Sequence, residues 1–166
     1  MNVFKVNNKY NIGDLIISLI ITLGGATVIG WFTSNLSKTQ YNELVKPVFA
    51  PPSWVFEVIW PVLYILMSIA AYRIYQLKKQ GVDVGNALKL YAVQLILNFI
   101  WPFIFFAKKL YGISFIEIVI LWMFILLTFL KFLKLDKRAG LLLIPYILWV
   151  TFAAILNFFI WALNEM

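Results

Sequence analysis

Five stretches of the chain are almost unbroken apolar sequence, and short polar clusters separate them. They run from Leu15 to Phe32, Trp54 to Tyr72, Leu90 to Ala107, Leu110 to Leu130 and Ala139 to Leu163. Each is close to the ~20 residues that a helix needs to cross a bilayer. Their apolar residues surround the helix on most sides rather than forming one stripe, as expected where the solvent is lipid. The first, third and fifth runs hold no charged residue, the second holds Glu57 and the fourth Glu117. The pattern predicts an all-α fold: one domain over residues 1–166, built as a bundle of five transmembrane helices at roughly 15–32, 54–72, 90–107, 110–130 and 139–163.

Composition sharpens this picture. Of 166 residues, 63% are hydrophobic and 13% charged, whereas soluble chains carry about 25% charged residues. So little polar surface cannot coat a globule, and the length leaves no room for a large catalytic domain outside the membrane. The chain has no Cys and no His. That excludes disulfides, Cys- or His-ligated zinc, Cys nucleophiles, His general bases and His-ligated haem iron. No glycine-rich phosphate loop is present, and no basic–aromatic groove points to nucleic acid.

The net charge of +7 resides in the clusters between the runs, and its distribution predicts an orientation. Lys5, Lys9, Arg73, Lys78, Lys79, Lys89, Lys131, Lys134, Lys137 and Arg138 fall on one side of the membrane. Only Lys38, Lys46, Lys108 and Lys109 fall on the other. The excess of positive charge on cytoplasmic loops then puts the N-terminus in the cytoplasm and the C-terminus outside. Residues 1–14 include Asn7, Asn8 and Asp14, and no small-residue cleavage site follows the first run, so a signal peptide is not expected. The absence of a targeting pattern favours a prokaryotic plasma membrane over an organellar one.

The connection from Thr33 to Ser53 is the only long one. It has a short helix predicted around Thr39 to Val45, followed by Pro47, Pro51 and Pro52. It reads either as a lid over the outer mouth of the bundle or as a plain tether. Phe, Trp and Tyr make up 18% of the chain. In the predicted orientation Trp31, Trp54, Trp60, Trp101 and Trp161 lie in the outer half, and Trp122 and Trp149 near mid-membrane. Tyr72, Tyr75, Tyr91 and Tyr146 serve the inner side. An interfacial belt accounts for Trp31 and Trp161. It does not account for Trp60, Trp101 or Trp149, which sit well inside their runs. The alternative is an aromatic-lined cavity suited to a large, flat, apolar ligand.

Polar residues inside the runs have two readings. Gln94 and Asn98 share a helix face, and Asn157 lies in the fifth run. Such groups hydrogen-bond between helices more often than they contact ligands. Glu57 lies near the outer edge and within reach of water. Glu117 lies deeper, and is either a functional carboxylate, a protonated one, or one paired with a polar side chain. Pro61, Pro102 and Pro145 are expected to interrupt their helices. Gly24, Gly25, Ala26 and Gly30 form small-residue faces suited to close helix packing.

Three segments together resemble one family: KPVFAPPSWVFEVIWPVLY (46–64), LYAVQLILNFIWPFIFF (90–106) and PYILWVTFAAILNFFIWALN (145–164). All three are similar to the tryptophan-rich sensory protein and translocator protein family (TspO/MBR), in the same order. The resemblance covers roughly residues 30 to 164. It implies a five-helix bundle, commonly a homodimer, that binds porphyrins such as protoporphyrin IX and synthetic benzodiazepine-site ligands, with no cofactor. The pocket residues it implies are Trp54, Asn98, Trp101, Trp149, Phe152, Ala153 and Leu156, with Tyr64 as a wall. Phe49 and Phe99 stand at positions where the family often has Trp. Near the C-terminus, Phe158 and Ala162 replace the aromatic hydroxyl and basic residue of the cholesterol-type pattern, which argues against a mammalian-style sterol site.

Three functions follow as expectations. The first is an integral membrane protein binding a porphyrin or another flat apolar molecule in a sensory, transport or regulatory role. The second is light- or oxygen-dependent porphyrin breakdown, with Trp149 and Trp54 as redox partners. The third is a structural membrane partner that uses its aromatic interior only for packing.

Overall fold

The computed structural model describes residue 4, residue 6 and residues 10–166, and among these the side chains of all but Ser34, Asn35, Leu36 and Lys38. Asn7, Asn8, Lys5 and Lys9, used above to read the N-terminus, lie outside the described residues, as does the side chain of Lys38. Among the described residues, five helical spans are long and apolar enough to cross a membrane: Ile12–Thr33, Ser53–Lys78, Gly85–Ala107, Tyr111–Leu135 and Lys137–Asn164. The helices within and beyond them are α1 (Ile12–Leu19), α2 (Gly25–Glu43), α3 (Ser53–Lys78), α4 (Gly85–Pro102), α5 (Tyr111–Leu135), α6 (Lys137–Leu141) and α7 (Ile144–Asn164). α5 packs between α4 and α7, and α1 lies along α3.

Most spans run a few residues beyond the apolar runs, because helix ends need not be apolar once they leave the hydrocarbon. α3 continues past Tyr72 and carries Arg73 within it. The guanidinium is buried and reaches the Asp136 carboxylate at 2.6 Å. Asp136 also caps α6, accepting from the Arg138 and Ala139 N–H groups at 2.8 and 3.1 Å. One carboxylate thus fastens α3 to the turn between α5 and the fifth span. Farther out on α3, Lys79 holds Asp14 of α1 at 2.6 Å, and that hydrogen bond raises the lysine pKa.

The predicted long connection is shorter than its polarity suggests. No separate helix forms around Thr39 to Val45; instead α2 runs unbroken out of the first span to Glu43. Nothing between Trp31 and Lys46 is glycine or proline, so nothing stops the helix before Pro47. Lys46 then donates its Nζ to the backbone carbonyls of Tyr41, Asn42 and Leu44. These include acceptors that a helix end leaves unpaired. The remaining connection, Leu44–Pro52, is a short strap.

The three prolines act differently from one another. Pro61 lies inside α3, and Pro102 ends α4. A wide π-helical turn, Phe103–Ala107, follows Pro102, as expected where the i−4 carbonyl has lost its donor. α3 runs unbroken through Pro61, against expectation, whereas Pro145 marks an interruption of the fifth span. It sits in the first turn of α7, where its missing N–H would have had no partner, and the fifth span is broken just before it, between α6 and α7.

The small residues of the first span also divide. Gly25 allows close packing: a Cβ there would stand 2.8 Å from a ring carbon of Phe99 on α4. Among the described residues, Gly30 has nothing within 4 Å of such a Cβ. Gly30 and Ala26 face an internal space rather than another helix.

Candidate functional site

That space is a cavity of about 530 Å³ enclosed by α2, α3, α4, the π turn and α7, with Ile118 and Leu121 of α5 behind it. α3 places Ser53, Phe56, Glu57, Trp60, Pro61 and Tyr64 on the wall. Their spacing of three and four residues puts them on one helix face. Trp60 and Tyr64 stack at 5.5 Å between ring centroids. Across the cavity, Trp101 stacks on Phe105 at 4.7 Å, with Phe106 edge-on at 5.9 Å. The π turn is what brings Phe105 and Phe106 to the same side as Trp101.

The polar groups of the wall are tied to one another. Tyr64 donates its hydroxyl to Asn98 Oδ1. Asn98 Nδ2 donates to the Tyr146 hydroxyl, and Tyr146 donates to Gln94 Oε1, both at 2.9 Å. Farther along, the Trp101 indole N–H donates to Asn157 Oδ1 at 3.1 Å. Asn157 also receives Ser114 Oγ at 3.1 Å and donates to the Tyr111 carbonyl at 3.0 Å. Gln94, Asn98 and Asn157 therefore serve as interhelical connectors, while Asn98 and Asn157 also face the cavity. Where the strap leaves α2, Tyr41 lines the wall and donates to the Pro51 carbonyl at 2.7 Å. Burial pushes the Tyr41 phenol up to about 12.

The structure brings five of the residues singled out from sequence onto the wall: Tyr64, Asn98, Trp101, Ala153 and Leu156. The other five stand off it. Trp54 is 62% exposed on the outside of α3. Phe99 packs against Gly25 and lies 6.3 Å from the Tyr64 ring. Trp149 is wedged between Phe56 at 5.6 Å and Phe152 at 5.4 Å, its indole N–H buried without a hydrogen-bond partner among the described residues. Phe49, on the strap, meets Phe152 and Phe159 edge-on at 6.3 and 5.3 Å. Trp149, Phe152 and Phe49 form a second layer behind Phe56.

Sequence reasoning passed over Phe56, Phe105, Phe106 and Tyr41. The i, i+4, i+8 series Phe56, Trp60 and Tyr64 was a usable signal for the first of them. For Phe105 and Phe106 there was none, since their direction depends on the wide turn. Glu117 is buried beside Ile118, and its two carboxylate oxygens have no hydrogen-bond partner among the described residues. Pairing with a neighbouring polar side chain, one of its expected fates, is not observed. No group of three or more metal-ligating side chains occurs among the described residues.

Trp31, 76% exposed, is placed like a belt residue. Trp161 stacks on Phe115 at 5.9 Å, and Trp122 hydrogen-bonds Thr151 at 2.8 Å, both away from the cavity. The bundle thus uses its tryptophans in three ways: at the cavity wall, in the layer behind it and on the outer surface.

Comparison with known proteins agrees with this architecture. The chain is 39% identical over 155 residues to the tryptophan-rich protein TspO of Chlorobaculum tepidum, covering 90% of this chain and 97% of that one. It is 41% identical over 124 residues to the tryptophan-rich sensory protein of Cereibacter sphaeroides, 75% of this chain and 76% of the other. The similarity extends to the translocator protein of Bos taurus, 32% identical over 150 residues, covering 90% and 88% of the two chains. The model of the TspO/MBR family matches residues 16–162, and with five membrane-spanning helices around an aromatic cavity the chain is an integral, multi-pass membrane protein of that family.

Proposed function

We propose that this protein binds a flat, mainly apolar ligand of the tetrapyrrole class in the cavity between α2, α3, α4 and α7, in a sensory or transport role. The observation that carries this reading is the cavity itself. Its volume of about 530 Å³ lies within the range of about 300–1,000 Å³ typical of small-molecule sites. Aromatic faces from Trp60, Tyr64 and Trp101 offer stacking surfaces, and few polar groups interrupt them. Synthetic benzodiazepine-site ligands, also flat and aromatic, suit the same walls. The names of the relatives, sensory protein and translocator protein, agree with such a role.

The chain has no His and no Cys, so no imidazole or thiolate ligates a haem iron, and stacking, apolar contact and hydrogen bonds are the contacts the wall offers the ligand. Free-base protoporphyrin should then bind about as well as haem. Lys78, Lys79, Lys89, Lys131, Lys134, Lys137 and Arg138 cluster at the helix ends opposite the strap. That distribution supports a cytoplasmic N-terminus, with the strap on the outer side.

The test is a titration of detergent-purified protein with protoporphyrin IX, read by tryptophan fluorescence with an inner-filter control and repeated under illumination. Saturable quenching that is weakened in Trp60→Leu and Trp101→Leu supports the reading. Absence of saturable quenching in the unmodified protein overturns it. A new spectral product under light would instead favour porphyrin breakdown, with a wall tryptophan as the redox partner.

A further inference from the structure

The strap is stiff and already anchored at several points. Its prolines, Pro47, Pro51 and Pro52, restrict its backbone. Leu44 and Ala50 pack onto a cluster that includes Tyr41, Phe105, Leu156 and Ile160. Those four residues also line the cavity, so the strap packs on the end of the bundle where that part of the wall stands. Lys46 fixes its start to α2, and Tyr41 fixes Pro51.

One further tie crosses to the opposite wall. Asn164, the last residue of α7, accepts the Val45 N–H on Oδ1 at 3.1 Å and donates Nδ2 to the Val45 carbonyl at 2.9 Å. A single side-chain amide thus satisfies both backbone groups of one strap residue. The same Nδ2 also reaches the Ile160 carbonyl at 2.8 Å, which orients the amide. The next residue, Glu165, accepts the Tyr111 and Gly112 N–H groups at 3.0 and 2.9 Å. That bond pair pins the end of α7 to the start of α5, so Asn164 stands on a fixed post.

The structure assigns Asn164 a positioning role as the latch that holds the strap closed over the cavity and sets how fast a ligand enters and leaves. This rests on the reading of the cavity as a ligand site. Both latch bonds are exposed, so water competes for them and opening is inexpensive. The apolar contacts of Leu44, Ala50 and Phe49 bring the strap back. A latch of this kind governs rates, because it ties a lid and not the walls that a ligand touches.

The test combines stopped-flow kinetics of protoporphyrin IX binding with spin-label distances. In Asn164→Ala, association and dissociation rates should rise together, by about three- to tenfold for two lost hydrogen bonds, with Kd and Tm nearly unchanged. Asn164→Asp should behave similarly, since a carboxylate accepts from the Val45 N–H but opposes its carbonyl. The chain has no cysteine, so labels at Val48→Cys and Leu163→Cys are unique, and their distance distribution should broaden in Asn164→Ala without any ligand. Rates equal to those of the unmodified protein, or a loss of affinity and Tm in step, would overturn the latch and leave the binding site standing. If the unmodified protein binds no porphyrin, the site reading falls and the gating role falls with it, whatever the labels show about the strap.

Discussion

Asn98 on α4 and Tyr146 on α7 are joined across the bundle, amide to phenol, at 2.9 Å. Tyr146 is only 1% exposed and donates its own hydroxyl hydrogen bond to Gln94 Oε1, so one hydroxyl holds two polar side chains of the facing helix. Tyr146→Phe keeps the ring but leaves an acceptor on Gln94 and a donor on Asn98 without partners. The expected loss is about 1–3 kcal/mol, the usual cost of orphaning buried polar groups. Unfolding in mixed detergent by graded denaturant measures it, and a change below a few tenths of a kcal/mol would contradict the network.

Two glycines should answer alanine substitution in opposite ways. At Gly140 an added Cβ would come within 2.7 Å of the Leu133 Cα, and backbone cannot swing aside. Gly140→Ala is expected to destabilise by about 1–3 kcal/mol through overpacking. At Gly30 the same methyl enters open space and helix propensity favours alanine by about 0.8–1.0 kcal/mol, so Gly30→Ala should be neutral or mildly stabilising. Thermal unfolding of the two variants side by side gives the sign of each.

Ligand contacts should sort by layer. Trp60 and Trp101 line the cavity, whereas Trp54 is exposed outside it. Replacing Trp60 or Trp101 by leucine should weaken protoporphyrin IX binding by up to about tenfold, the scale of one aromatic contact. Trp54→Leu should stay within about twofold. Equal effects from all three, by calorimetry or fluorescence, would mean that the ligand sits elsewhere.

Alkaline stability should report on the strap. Burial raises the Tyr41 phenol to about 12, against about 10 for an unfolded tyrosine. Between these values the unfolded chain holds fewer protons than the folded one, so stability falls as pH rises. Below about pH 10 this contribution is constant. Tyr41→Phe should remove that part of the slope between pH 10 and 12, as read from Tm against pH.

Hydrophobicity alone located the five spans, since a chain in lipid must satisfy every backbone group within a helix. It also marked the polar residues that had to find partners, and Gln94, Asn98 and Asn157 did so. The α2 extension to Glu43 was misread because polarity was taken as the sign of a loop, yet outside the bilayer a polar sequence without breakers continues its helix. Pro145 follows a break in the fifth span, as its place in the run suggests, whereas Pro61 lies inside a continuous α3, where one lost N–H does not end the helix.

The candidate site divides along the same line. Residue types, the absence of His and Cys and the family motifs are properties of the sequence, and they are what suggested an aromatic site for a flat ligand. Which aromatics face the cavity was decided by the tertiary structure. A helix apolar on all sides carries no signal of its rotation about its own axis, so Trp60 and Trp54, six residues apart on α3, looked alike until their neighbours fixed one inward and the other outward. The wide turn after Pro102 turned Phe105 and Phe106 toward the cavity for a similarly non-local reason. Sequence determined what the bundle is made of and that it spans the membrane; packing between helices decided which surfaces enclose a space and which meet lipid.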